Sequence, residues 1–167
     1  YAHMMDLAGA AVAEAAWPWL AGGAAVVLCG PGNNGGDGLV AAARLAERGA
    51  DVRAILWRRE GDERSMDAAA AGVARLEAEW VTRPAGAPPG GPAARAAAAE
   101  ILAWLQEADV FVDALLGTGA RLPLADDLVQ LLRHVAAARD RSARRPRVVA
   151  VDLPTGVDAD TGRADAA

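Results

Sequence analysis

The stretch Ala25-Val-Val-Leu-Cys-Gly-Pro-Gly-Asn-Asn-Gly-Gly-Asp-Gly38 decides the fold. A short apolar run passes straight into a loop with five glycines, one proline, two asparagines and an aspartate. An unbroken apolar run of this length reads as a strand buried on both faces, here over 24–29. The pattern after Gly38 is helical, and the spacing predicts a helix over 38–48 with Leu39, Val40, Ala43 and Leu45 facing inward. Glycines let a backbone turn sharply and approach a ligand closely. Asn33 and Asn34 are the only asparagines in the chain, and both sit in this loop. In a sequence so poor in polar side chains, that placement points to chemistry.

The composition narrows the classes that remain. A chain of 167 residues suits one domain with a real core, and 53% hydrophobic against 23% charged residues describes a globular protein. All 17 basic residues are arginine, so a P-loop lysine and a Schiff-base lysine are both excluded. A net charge of -5 gives no sign of nucleic-acid binding. One cysteine, Cys29, excludes an internal disulfide and fits a reducing, cytoplasmic setting. With His3 and His134 as the only histidines, a Cys/His zinc site is not expected. Neither Ser65 nor Ser142 sits in a nucleophile elbow. No apolar run is long enough to span a membrane.

Before the first strand, residues 1–17 read as a helix with Met4, Leu7, Ala8, Ala11, Val12 and Ala15 as its apolar stripe, stopped by Pro18. Beyond Gly49, which reads as a helix stop, a strand is expected over 51–57. A charged turn follows over 58–63, an Ala-rich helix over 64–76 and a short strand over 79–82. The Pro- and Gly-rich segment 84–92 reads as an irregular loop within one domain. Then come a helix over 93–107, a strand over 109–116, a helix over 124–138, a basic surface loop over 137–147 and a last strand over 147–153. Helices alternating with short apolar strands predict a Rossmann-like three-layer α/β/α sandwich with a mainly parallel sheet, as a single domain over 1–167.

Ligands of such sheets bind beyond the carboxyl ends of the strands, near the switch in strand order. Three strand ends carry unusual residues: Gly30-Pro-Gly-Asn-Asn-Gly-Gly-Asp37, Val112-Asp-Ala-Leu-Leu-Gly-Thr-Gly119 and Val151-Asp-Leu-Pro-Thr-Gly-Val-Asp158. Asp113 lies inside an apolar strand, where a carboxylate is costly unless it is bonded, paired or bound to a cation. Asp152 serves either the site or the turn before Pro154. Asp37 serves either the site or the cap of the helix after the loop. Amide oxygens, carboxylates, the Thr155 hydroxyl and backbone carbonyls suit a hard cation, while glycine amides beside a helix start suit a phosphate. No lysine, serine, cysteine or histidine sits in the three loops, so any acid–base chemistry falls to carboxylates.

These motifs, in this order and spacing, resemble the YjeF N-terminal domain family, the NAD(P)H-hydrate epimerases. Residues 30–45 resemble its main motif, 112–119 its second and 151–158 its third, while Met4-Met-Asp-Leu-Ala-Gly-Ala-Ala-Val-Ala-Glu14 resembles its early helix. The resemblance implies an isomerase that interconverts the R and S epimers of NADHX and NADPHX, hydrates formed when water adds across a nicotinamide double bond. A dehydratase that acts on one epimer is the implied partner, and the same resemblance suggests a homodimer. Carried onto this chain, the hydrate would meet Asn33, Asn34, Gly35, Gly36 and Asp37, the run Gly117, Thr118, Gly119, Ala120, Arg121, Leu122 and Pro123, and Asp152. Asn34, Asp113 and Thr155 would hold a potassium ion, and the chemistry of the loops themselves makes Asp152 or Asp113 the candidate to move the proton.

The chain departs from the family pattern in three places. Thr155 replaces a usual serine but keeps the hydroxyl, and 120–125 lacks an expected glycine. Family members continue beyond Thr161-Gly-Arg-Ala-Asp-Ala-Ala167, so a domain truncated at both ends is expected, a piece of an epimerase or of a bifunctional epimerase–dehydratase. The competing reading is a non-catalytic nucleotide-binding or dimerisation module on the same fold. A Rossmann dehydrogenase fits worse, because the next strand ends in Trp57-Arg58-Arg59 where an acidic ribose-binding residue is needed.

Overall fold

A computed structural model describes residues 2–20, 22–59, 63–82 and 90–165. Most of the expected 84–92 loop and part of the 58–63 turn lie outside the described residues. The helices are α1 (Ala2–Ala16), α2 (Asn33–Glu47), α3 (Glu63–Ala70), α4 (Pro92–Glu107) and α5 (Asp126–Arg141). The strands are β1 (Ala24–Cys29), β2 (Asp51–Leu56), β3 (Ala74–Glu77), β4 (Ala108–Ala114) and β5 (Arg147–Ala150). They form one sheet in the order β3-β2-β1-β4-β5, and every neighbouring pair is parallel.

The sheet separates two apolar layers, which makes the expected three-layer sandwich. Every residue of β1 is buried, as its apolar run predicts for a central parallel strand. Ala25, Val27 and Cys29 face the layer built from α1, α2 and α3, together with Val110, Val112 and Ala114 of β4. Val26, Leu28 and Phe111 face the α4 and α5 layer, with Ile101, Leu105, Leu128 and Leu131. Alternate residues of one strand therefore feed two cores, as the two-residue period of a strand requires.

Several boundaries differ from the sequence reading. Helix α2 starts at Asn33, five residues before Gly38, with Gly32 as its N-cap. Its first turn absorbs the glycines that read as loop, and tertiary packing overrides their poor helix propensity. The expected 64–76 helix is instead α3 followed by β3. Gly72 (φ 89) ends the helix, with its N–H on Ala69 O at 2.9 Å and the Val73 N–H on Ala68 O at 3.0 Å. The paired strand is thus 74–77, and a 3-10 turn over 78–80 takes the first half of the strand expected over 79–82. Helix α5 runs on to Arg141, so half of the expected basic loop is helical.

The apolar stripe of α1 is also corrected. Met4 is 71% and Leu7 59% exposed, whereas Gly9, Ala13 and Ala16 are buried. Small residues face α2 because the two helices approach too closely for larger ones. A Cβ on Gly9 would lie 2.5 Å from Val40 Cβ and 2.9 Å from the Asp37 carbonyl. Gly9→Ala is therefore expected to cost about 1–3 kcal/mol through overpacking, read as a lower urea midpoint. An unchanged midpoint would show that α1 can move away from α2 without loss.

Candidate active site

Strand order reverses at β1, between β2 and β4, and the three unusual loops leave the carboxyl ends of β1, β4 and β5. The Gly30 N–H bonds the Ala114 carbonyl at 3.0 Å and extends the β1–β4 pairing into the loop. The chain then folds back so tightly that side chains are barred. A Cβ on Gly30 would strike the Leu115 carbonyl, one on Gly35 the Gly30 carbonyl, and one on Gly38 the Ala114 Cβ. These contacts explain why α2 begins in glycines: its first turn lies directly on the ends of β1 and β4.

Asn34, carried by that turn, is only 7% exposed. Neither its Oδ1 nor its Nδ2 has a hydrogen-bond partner. An unsatisfied buried amide is costly in a folded protein, and its presence points to a ligand that completes it. Gly117 packs beside it. A Cβ there would sit 3.3 Å from Asn34 Oδ1 and 2.8 Å from Asp152 Oδ2. Asn34, Gly117 and Asp152 thus meet at one point, each from a different strand end.

Asp113 is buried at 7% exposure but well satisfied. Its Oδ1 accepts from the Thr155 hydroxyl at 2.7 Å and the Leu115 N–H at 3.3 Å, and its Oδ2 accepts from the Thr155 N–H at 2.7 Å. Thr155 Oγ1 in turn accepts from the Leu116 N–H at 3.2 Å. The β4 and β5 loops are therefore laced together through one carboxylate and one hydroxyl. Asp152, by contrast, is exposed and adopts φ 63, a left-handed conformation that non-glycine residues hold at a cost.

Asp37 is half-buried one turn after Asn34, on the same side of α2. It does not cap the helix, which begins four residues earlier. Burial first, and then the charge of Asp152, push the Asp37 carboxyl above the usual aspartate range. Asn33 is exposed at the helix start, and Gly35 and Gly36 are buried beneath it. Of the run 117–123, Gly117 touches the Asn34–Asp152 pair. The rest forms the adjoining loop, with Thr118, Gly119, Arg121 and Pro123 exposed and Ala120 turned back onto the Gly117 carbonyl at 3.0 Å. Asp158 stands apart, held below the usual range by the Thr161 hydroxyl and N–H, and it shapes a surface turn.

The sequence reading missed Arg59, which it placed in a solvated turn. Arg59 is 8% exposed, and its Nη1 donates to the Gly30 and Gly32 carbonyls at 2.8 and 3.0 Å. The available signal was a pair of arginines directly after an apolar strand, at the same sheet end as the glycine loop. Among the described residues no three His, Cys, Asp or Glu side chains form a metal cluster. The candidate oxygens are instead those of Asn34, Asp113 and Thr155, the last two hydrogen-bonded to each other. Asp113 and Thr155 keep lone pairs beyond their present bonds, so this set fits a weakly demanding cation.

Loops that leave neighbouring strand ends at the switch point of an all-parallel sheet define an α/β domain of the open, doubly wound kind. The family model described as YjeF-related protein N-terminus matches residues 1–167, and the chain belongs to that family. An NAD(P)H-hydrate epimerase of Cereibacter sphaeroides is 38% identical over 96% of this chain and 73% of its own length. One of Rhodobacter capsulatus is 42% identical over 99% of this chain and 70% of its own length. The bifunctional NAD(P)H-hydrate repair enzyme Nnr of Thermofilum pendens is 38% identical over 96% of this chain, which spans 28% of that protein. Among solved structures, yeast ynu0 shares the fold at a TM-score of 0.74 and 24% identity, over 98% of this chain and 65% of its own.

The raised Asp37 carboxyl makes a pH-dependent prediction. The folded chain holds this proton more tightly than the unfolded chain does. Its contribution to stability is therefore complete below the ordinary aspartate value and is lost as pH rises through the raised one. Asp37→Asn should accordingly raise the Tm at pH 7, with the gain shrinking toward about pH 3. A lower Tm at pH 7 would contradict this account.

Proposed function

We propose that this chain epimerises hydrated NADH and NADPH, interconverting the R and S forms of NADHX and NADPHX in the repair of nicotinamide cofactors. The observation that carries the reading is the unsatisfied, buried Asn34 carboxamide beside Gly117 and Asp152, at the place where a cofactor of this kind would lie. Membership in the family and the names of the relatives support it. In this reading a dehydratase, as a separate protein or a linked domain, consumes the epimer supplied. The buried Cys29 supports a reducing compartment, the cytoplasm.

The reacting carbon of the hydrate carries a hydroxyl next to the ring nitrogen. Asp152 in its acid form gives a proton to that hydroxyl, the C–O bond breaks and water leaves. The nitrogen lone pair stabilises the cation that remains. Water then adds to the other face and returns its proton to the Asp152 carboxylate, so no atom or electron is gained or lost. Asp152 suits this work better than Asp113, because it is exposed at the site while Asp113 is engaged by Thr155 and Leu115. Carboxylate charge from Asp37 and Asp152 favours the cation.

Asn34 Oδ1, Asp113 and Thr155 Oγ1 are the groups that would hold a potassium ion. Such an ion would offset negative charge and fix the loops. Potassium chloride should then raise the Tm above that in choline chloride at equal ionic strength, and Asn34→Ala should abolish the difference. Equal Tm values in the two salts for the unsubstituted chain would count against the ion site.

The decisive assay mixes the protein with separated hydrate epimers and a dehydratase specific for one of them. Both epimers should be consumed faster than spontaneous exchange allows. Asp152→Asn should slow that exchange by about 10²–10⁴-fold with the Tm preserved. Full activity in both Asp152→Asn and Asp113→Asn would sink the carboxylate mechanism, and nucleotide binding without acceleration would favour the binding-module reading.

A further inference from the structure

Arg59 is unlike its neighbour Arg58, because it is buried and bonds to backbone. The segment that leads to it is anchored on both sides. The Trp57 N–H donates to the Cys29 carbonyl at 2.8 Å, and Trp57 Nε1 donates to Asp127 Oδ2 at 2.9 Å. Arg58 adopts φ 48 and grips both Asp127 oxygens, at 2.9 and 3.0 Å. Asp127 lies in the first turn of α5, where a carboxylate also complements the helix dipole. With Trp57 and Arg58 turned toward α5, Arg59 is directed the other way, onto the glycine loop.

The two carbonyls it meets are the ones that shape the start of α2. The Gly30 carbonyl is enclosed, since it occupies the place of a side chain on Gly35. The Gly32 carbonyl accepts the first helical bond of α2, from the Gly36 N–H at 3.2 Å, as well as the Arg59 bond. Without the guanidinium the Gly30 carbonyl is buried with one donor fewer. Rotating that peptide to regain one would shift the turn that carries Asn34 and Asp37. The interaction joins residues 29 positions apart, so no local preference of the glycine loop replaces it.

We propose that Arg59 is a positioning residue of the epimerase site. By holding the Gly30 and Gly32 carbonyls it fixes the first turn of α2, and with it the Asn34 carboxamide, in the geometry the substrate meets. The proposal rests on the epimerase reading for its kinetic part and on backbone geometry alone for its structural part. Arg59 does not touch the reacting atoms in this account, so its loss should lower kcat more than it raises KM.

The test uses Arg59→Met, which keeps length but removes the donors, and Arg59→Lys, which keeps charge and donors in a different shape. Each is assayed for epimer interconversion and for amide hydrogen exchange by mass spectrometry. Arg59→Met should lose about 10²-fold in kcat, the scale of a small misplacement of catalytic groups, and Arg59→Lys should lose about tenfold. Exchange over residues 32–38 should quicken about tenfold in Arg59→Met, with residues 108–114 unchanged. Wild-type kcat and wild-type exchange in both variants would overturn the proposal, and if Arg59→Met does not fold, the same two readings on Arg59→Lys decide it. An unsubstituted chain that shows no acceleration, together with faster exchange in Arg59→Met, would defeat the epimerase reading and leave the clamp standing.

Discussion

The close seat of α2 on the ends of β1 and β4 is the constraint on which the rest depends. Three glycines permit it, because side chains at 30, 35 and 38 would run into Leu115, Gly30 and Ala114. That approach starts the helix at Asn33 and buries Asn34 at the junction of β1 and β4. Once Asn34 is there, Gly117 must stay small, and the β5 loop is brought in over it through the bonds from Thr155 to Asp113. A single steric requirement thus passes from helix packing to the geometry of the site.

Much of this was legible in the residues because the central strands are unambiguous. The runs 24–29 and 108–114 are apolar enough to be buried on both faces, and each ends in loop chemistry that a simple core strand does not need. The likeness of three spaced motifs to one family then singled out Asn34, Asp113, Asp152 and Thr155; the fold sets Asn34 and Asp152 beside Gly117 and bonds Thr155 to Asp113. The errors have physical causes. Periodicity favoured Met4 and Leu7 as the inner face of α1, but the helix crossing selects small residues, so the larger ones were left exposed. The break between α3 and β3 depends on Gly72 in a left-handed turn, which an Ala-rich pattern hides. Arg59 looked like a solvated charge because nothing in 58–63 says that Trp57 and Arg58 turn toward α5.

Charge in the site is arranged by contrast. Asp113 is buried but satisfied by hydrogen bonds, and it serves as a joint between two loops. Asp37 holds its proton more tightly because it is partly buried and, second to that, because it faces the charge of Asp152. A chain without lysine therefore concentrates acid–base capacity in carboxyls whose surroundings differ.

The bond between Thr155 and Asp113 joins positions 42 apart in the chain, and the Arg59 bond to Gly30 spans 29. Every wall of the site comes from a different strand end, so no contiguous piece of the chain contains it. A ligand bound there is linked to the integrity of the whole sheet, and occupancy opposes global unfolding rather than the opening of one loop. The site therefore cannot form before β4 has docked beside β1 and β5 beside β4. Competence to bind becomes a late event in folding, set by the slowest of the long-range pairings in an all-parallel sheet.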